Sequence, residues 1–175
     1  DAVATVKIGT AYRDYQLADS SRAIPIREPS PEILTLIPTG VSALVGLEQV
    51  GELKSGETVA VSAAAGGLGH ILVQLATLSG NRVIGLTRSA TKAAFLRELG
   101  VDRAIDTRAE DLRAVLAAGC PRGIDLAYDM VGGEVFDAFV DHLAVRGRLV
   151  ISGHTSDFER PEDELVPQPR IYRKL

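Results

Sequence analysis

The run Val61-Ser62-Ala63-Ala64-Ala65-Gly66-Gly67-Leu68-Gly69-His70 limits the fold of this chain more than any other part of it. An apolar, strand-like stretch empties into a glycine-rich turn and then into a helix. Small residues are needed at these places. Ala63 and Ala64 permit a tight turn, Gly66 lets backbone N–H groups approach a pyrophosphate, and Gly69 lets the helix pack closely on the strand. The helix N-terminus then faces an anion, so the pattern points to a dinucleotide. A flexible loop between a strand and a helix can carry the same glycines, and the flanking sequence decides between the two readings.

Upstream, residues 58–62 alternate and are rich in Val, as a buried parallel strand should be, and Lys54-Ser55-Gly56-Glu57 supplies the preceding turn. Downstream, Leu68, Ile71, Leu72, Leu75 and Leu78 recur at helical spacing, and Gly80-Asn81 stops the helix. Residues 82–86 then read as a second strand. A helix over 89–99 is capped by Ser89 and ends at Gly100; strand three covers 103–105, a helix 111–118, strand four 124–128, a helix 135–143 and strand five 148–152. Repeated βα units with continuously apolar strands predict an α/β, doubly wound parallel sheet of the Rossmann type, with right-handed crossovers. Before this alternation, residues 2–8 and 11–17 read as short extended segments. Residues 24–31 read as a proline-punctuated linker, and Pro38 opens a helical pattern through Val41, Leu44, Val45, Leu47 and Val50. From Thr155 the acidic residues and prolines leave little for a core, so 155–175 reads as an exposed tail.

Composition narrows the partners. A net charge of −4, with no basic stripe interleaved with aromatics, removes the electrostatic reason to expect nucleic acid. The single cysteine, Cys120, allows no internal disulfide. Neither a paired-cysteine zinc motif nor an HExxH helix occurs, so no metal is expected. Without a basic start followed by a long apolar run, a cytoplasmic protein with no membrane partner is expected. Small-molecule chemistry is the default.

The end of the second strand identifies the nucleotide. An acid there accepts hydrogen bonds from the ribose hydroxyls of NAD and repels a 2′-phosphate. This chain has Thr87-Arg88-Ser89 instead, with Lys92 one helical turn from Ser89. Arg binds a phosphate dianion bidentately, Lys adds point charge, and the helix start adds N–H donors, so NADP(H) is the expected cofactor.

With these residues in view, the chain resembles the cofactor-binding domain of the medium-chain dehydrogenase/reductase superfamily, in its zinc-independent quinone-oxidoreductase and alkenal (enone) reductase branch. The resemblance runs in order. It takes in Gly9-Thr10-Ala11-Tyr12-Arg13-Asp14-Tyr15, Ile37-Pro38-Thr39-Gly40-Val41-Ser42-Ala43, Leu53-Lys54-Ser55-Gly56-Glu57, the Ala63–Gly69 turn with Val73-Gln74-Leu75-Ala76, and then Lys92-Ala93, Leu99-Gly100, Asp125 to Gly133 and Gly147-Arg148 to Gly153. It implies three parts: residues 1–30 as a β remnant of a GroES-like catalytic domain with its linker, 31–154 as the NADP-binding domain, and 155–175 as the tail. It also implies NADPH-dependent hydride transfer to the C=C bond of an α,β-unsaturated carbonyl compound or to a quinone. By the same resemblance Thr39 lies near the nicotinamide, Gly66, Gly67, Leu68 and Gly69 at the pyrophosphate, and Thr87, Arg88, Ser89 and Lys92 at the 2′-phosphate. Asp129 and Val131 border the ribose, and Ser152, Gly153 and His154 approach the nicotinamide end. Relatives often carry a Tyr after strand three that helps hold the phosphate, where this chain has Thr107.

The proton donor is unassigned. His154, Tyr12 and Tyr172 are the candidates. His70 and His142 read as helix-surface residues, and Cys120 reads as a solvent-near loop thiol. Strand five is expected at the sheet edge, where a second copy can pair to form a homodimer. Two other classes stay open: a non-catalytic NADP(H)-binding module of a larger protein, and an S-adenosylmethionine-dependent methyltransferase, which also uses a glycine turn after strand one but prefers an acid at the ribose.

Overall fold

The computed structural model describes residues 2–5, 14–15, 17 and 19–155. Tyr12, Tyr172 and most of the tail lie outside the described residues. Two short strands, β1 (Val3–Thr5) and β2 (Ala23–Pro25), pair antiparallel, with Ala4 opposite Ile24. The first extended segment therefore finds its partner in what reads from sequence as linker.

The helix expected to open at Pro38 begins instead at Pro31 and runs to Val50 (α1). Its start is chemically marked: Pro31 sits in the first turn, and the Ser30 hydroxyl accepts the Ile33 N–H at 3.3 Å. Pro38 stays inside because the helix widens to a π pattern at Leu36–Gly40, and Val41 N–H reaches back to the Leu36 carbonyl. The wider turn accommodates a residue that has no N–H and whose ring crowds the carbonyl of the preceding turn. By length and composition this 20-residue helix could cross a membrane, a property its interrupted apolar pattern conceals in sequence. Ala43, Gly46 and Leu47 are nonetheless buried, and a Cβ on Gly46 would stand 2.6 Å from the Tyr128 hydroxyl, so one face is built into the core.

The sheet comprises β3 (Thr58–Val61), β4 (Arg82–Thr87), β5 (Arg103–Asp106), β6 (Ile124–Asp129) and β7 (Leu143–Ile151), all parallel, in the order β5-β4-β3-β6-β7. The intervening helices are α2 (Gly69–Leu78), α3 (Ala90–Glu98), α4 (Leu112–Gly119) and α5 (Gly133–Asp141). Side-chain alternation along β3 divides the core. Val59 and Val61 pack with Ala43 and Leu47 of α1, Leu72 of α2 and Leu96 of α3, while Ala60 packs with Leu116 of α4 and Phe139 of α5. The expected doubly wound α/β sheet is present. Strand five is longer than expected. Leu143 already pairs with Ile124, the register then breaks, and pairing resumes at Leu126 with Arg148, around Arg146 at φ 65°. The preceding helix accordingly stops at Asp141 rather than at residue 143.

β3 is the centre from which the strand order reverses, and the ends of β3 and β6 are joined by a buried polar clasp. The Asp129 carboxylate is fully buried. It accepts the Ser62 hydroxyl at 2.7 Å, Val131 N–H at 3.0 Å and Gly132 N–H at 3.0 Å. The Ser62 hydroxyl in turn accepts Met130 N–H at 2.7 Å. At the opposite end of the sheet, Arg148 ties β7 to the turn before β3. It makes two bonds to the Glu57 carboxylate (2.9 and 2.7 Å) and donates from Nε to the Gly51 carbonyl at 2.7 Å.

Asp129→Ala leaves two buried donors and one half-buried donor without an acceptor and should cost about 3 kcal/mol of unfolding free energy in urea. Ser62→Ala strips Met130 of its acceptor and Asp129 of one of its three donors, and should cost about 2 kcal/mol. Glu57 makes stability depend on pH. Burial pushes its carboxyl up, but the Arg148 bonds, the Lys54 N–H and the two nearby cations together hold it below its usual value of 4.5. A carboxyl depressed in the folded state stabilises fully above 4.5, and that stability is lost as pH falls through the folded value. Glu57→Gln should therefore destabilise by about 1 kcal/mol at pH 7 and flatten the loss of stability below about pH 4.5, as read by urea midpoints across pH.

Candidate functional site at the sheet switch point

The carboxyl ends of β3, β4, β5 and β6 open on a cleft of about 530 Å³. In open α/β sheets this is where ligands bind, at the place where the strand order reverses. The β3–α2 turn contributes Ser62, Ala63, Ala65 and Gly66. The end of β4 and start of α3 contribute Leu86, Thr87, Arg88, Ser89 and Lys92, and the turn after β5 contributes Thr107 and Arg108. Val131, Val135 and Thr155 complete the lining.

The turn is compact because the backbone binds itself. Gly66 N–H donates to the Ala63 carbonyl at 2.8 Å, and Ala64 N–H to the Leu86 carbonyl at 2.8 Å. This holds Ala63 at φ 45°, a left-handed conformation unfavourable for a residue with a Cβ. Gly69 permits the close helix approach: a Cβ there would lie 2.3 Å from the Ala63 carbonyl oxygen. Gly67 has nothing near its absent side chain, so the face of the turn stays open to a ligand's backbone contacts. His70 turns inward on the turn itself, donating from Nδ1 to the Gly66 carbonyl at 2.8 Å.

Charge is distributed unevenly around this cleft. Arg88, Lys92 and Arg108 line it, all three exposed, and no Asp or Glu is among its described lining residues. None of the three makes an ion pair among the described residues. Ser89 caps α3 by accepting Lys92 N–H at 3.5 Å, which sets the first turn of that helix beside the cations. The surplus of positive charge favours an anionic ligand at the β4 and β5 side of the cleft.

Of the residues selected from sequence, Gly66, Thr87, Arg88, Ser89, Lys92 and Val131 line the cleft together. Gly67, Leu68 and Gly69 belong to the same turn, but Leu68 packs its side chain on the core and Gly69 is buried, so only backbone can serve a ligand there. Asp129 has its carboxylate consumed by the clasp; it positions Val131 and offers no side-chain atom to the cleft. Thr39 lies within α1 with its hydroxyl on the Thr35 carbonyl and does not line the cleft. Ser152 N–H donates to the Asp129 carbonyl at 2.8 Å, and Thr155 N–H to the Met130 carbonyl at 3.3 Å, so the segment carrying Ser152, Gly153 and His154 runs along the loop after β6. Cys120 is a correction. It is buried at 6 % exposure rather than solvent-near, because it faces the core side of α4; burial pushes its thiol up against the opposing influence of Arg82. His142 spends its Nδ1 on the Ala138 carbonyl at 2.7 Å.

Sequence reading missed Arg108 and Ser62. Arg108 follows β5 by two residues and Arg88 follows β4 by one, so a search for cations just past each strand end finds both. Ser62 is legible only with Asp129, from which it is separated by 67 residues.

A family model described as zinc-binding dehydrogenase matches residues 67–174. Prostaglandin reductase-3 of Mus musculus is 42 % identical over 160 residues, covering 91 % of this chain and 42 % of that protein. A probable quinone oxidoreductase of Leishmania amazonensis is 38 % identical over 174 residues, covering 94 % of this chain and 51 % of that protein. Among solved structures, CurA in complex with NADPH from Vibrio vulnificus superposes with a TM-score of 0.76 at 32 % identity, over 87 % of this chain and 47 % of that one. The chain spans about half the length of the curated relatives it matches. No group of three or more His, Cys, Asp or Glu placed to hold a metal occurs among the described residues. The chain belongs to the family of that model, in the zinc-independent enone and quinone reductase branch of the medium-chain dehydrogenase/reductases.

Proposed function

We propose that this chain is the NADP(H)-binding half of an oxidoreductase that transfers hydride to the C=C bond of an α,β-unsaturated carbonyl compound or to a quinone. The observation that carries this reading is the switch-point cleft, with three unpaired cations and no acid among its described lining residues. An acid at the end of β4 would select against a 2′-phosphate; Arg88 stands there instead. The relatives named as quinone and prostaglandin reductases, and the solved relative holding NADPH, support the same assignment.

Each part of the nucleotide meets a group of matching chemistry. Backbone of the Gly66–Gly67 turn and the start of α2 serve the pyrophosphate, while Arg88, Ser89 and Lys92 serve the 2′-phosphate. Val131, fixed by the Asp129 clasp, borders the ribose, and Ser152, Gly153 and His154 extend toward the nicotinamide end. The cofactor supplies the hydride; the described residues orient it. Thr39 is assigned to the nicotinamide side by resemblance alone. The three-part division, with a catalytic-domain remnant over 1–30, belongs to this reading. So do a cytoplasmic location, a small-molecule substrate, and the absence of nucleic-acid or membrane partners. β7 pairs only with β6 among the described strands, and its outer edge is where a second copy would form a homodimer.

Calorimetric titration with NADPH and NADH tests the cofactor assignment. NADPH should bind at least about tenfold more tightly. The Arg88→Ala, Lys92→Ala double variant should lower that preference by about tenfold or more while changing NADH affinity less than about twofold. Equal affinity of the unaltered chain for both nucleotides would overturn the assignment. NADPH oxidation in the presence of a 2-alkenal or a quinone, followed at 340 nm, separates a reductase from a module that holds NADPH without turnover.

A further inference from the structure

We infer that Arg108 is a third determinant of preference for a 2′-phosphorylated nucleotide, acting with Arg88 and Lys92 on the same phosphate. The inference rests on the NADP(H) reading and assigns a phosphate contact to a residue that the reading counts only among the cations of the cleft.

The argument begins with the backbone. Thr87 and Asp106 are register partners on β4 and β5, so the residues that follow them, Arg88 and Thr107-Arg108, leave the sheet side by side. Thr107 fixes this juxtaposition by donating both N–H (2.9 Å) and hydroxyl (3.1 Å) to the Thr87 carbonyl. The turn that carries Arg108 is itself closed. Asp106 accepts Arg108 N–H on Oδ1 at 3.1 Å, and its carbonyl accepts Ala109 N–H at 3.0 Å and Glu110 N–H at 2.9 Å. The guanidinium therefore departs from an anchored Cα, which lowers the entropy lost when it binds.

Local carboxylates are occupied elsewhere. Glu110 pairs with Arg103 and accepts Asp106 N–H at 3.1 Å, and Asp106 Oδ1 serves the Arg108 backbone. Arg108 lines the cleft, is exposed, and makes no ion pair with a described residue. Its position also selects which phosphate it can serve. The pyrophosphate turn lies at the end of β3, whereas Arg108 lies beyond β4, on the side of Arg88 and Ser89. A phosphate dianion offers three terminal oxygens, enough to accept a guanidinium fork from each of two arginines and a bond from the Lys92 ammonium.

The test uses adenosine 2′,5′-bisphosphate and adenosine 5′-monophosphate, which differ only in the 2′-phosphate and need no nicotinamide contacts. Calorimetry on the full 175-residue chain should show Arg108→Ala weakening the bisphosphate about tenfold while leaving the monophosphate within about twofold. Arg108→Lys should recover part of that loss, because point charge survives while the planar fork does not. An equal loss for both ligands would assign Arg108 to the adenine ring or to folding and overturn the inference, as would unchanged binding of both. If Arg108→Ala has no effect while the Arg88→Ala, Lys92→Ala variant lowers the preference, only this inference fails. If the unaltered chain does not prefer the bisphosphate, the cofactor reading fails with it.

Discussion

A single buried carboxylate organises the functional end of this molecule. Asp129 sits at the carboxyl end of β6 with no solvent contact, and a charge so placed is tolerated only when its lone pairs are filled. Three donors fill them: the hydroxyl of Ser62 from the neighbouring strand end and the N–H groups of Val131 and Gly132 from its own loop. The cost of desolvating Asp129 is thereby turned into geometry. The loop after β6 can take few other paths without stranding the charge, and the end of β3 is fixed to it at the point where the strand order reverses. A cleft bounded by loops would otherwise vary in width; this one is bounded by a clasp.

The two ends of the sheet treat charge in opposite ways. At the amino ends, carboxylates are spent on backbone N–H groups: Asp125 accepts from Thr58 at 2.8 Å, Asp102 from Val83 at 2.7 Å, and Glu57 from Lys54 at 3.0 Å while holding Arg148. These contacts fix strand starts and leave little charge for a ligand. At the carboxyl ends, Arg88, Lys92 and Arg108 stand without carboxylate partners among the described residues. A chain of net charge −4 thus presents a cationic cleft, because three cations and no described Asp or Glu line it. Net charge alone could exclude nucleic acid as a default partner but could not reveal this separation.

The legible parts of the fold are those encoded locally. The Ala63–Gly69 turn, the helix after it and the Ser89 cap follow from steric and capping rules acting within a few residues, and the structure has them where those rules place them. The βα alternation led to the sheet class for the same reason. What sequence concealed was non-local or compensated. Pro38 reads as a helix start because proline normally ends or opens a helix, yet a π-widened turn absorbs it and the helix begins seven residues earlier. The early pairing of Leu143 depends on the register break with β6, and periodicity within 135–143 gives no sign of it. Cys120 reads as solvent-near because it stands before Pro121 in a loop, but the packing of α4 on the sheet buries it. Of the residues that line the cleft, those in one contiguous motif are legible in sequence, whereas Arg108 needs the end of β5 to be placed first and Ser62 takes its meaning from Asp129, distant in sequence.

The tight turn shows how binding and stability are divided here. Ala63 occupies a left-handed conformation that glycine adopts without strain, at a cost of about 1 kcal/mol. Such a conformation persists only where its surroundings leave no alternative. Those surroundings are the Ala64 bond to the Leu86 carbonyl, the Gly66 bond to the Ala63 carbonyl, and the approach of α2 that only a glycine at position 69 allows. Each element that holds Ala63 belongs to the core or to the backbone of the turn, and the cationic side chains take no part. The scaffold can therefore keep the turn in shape while Arg88, Lys92 and Arg108 are exchanged, so the charge of the cleft is separable from folding. That separation follows from where the strain is held: in the backbone of the turn and the approach of α2, in contacts that a change of these side chains would not touch.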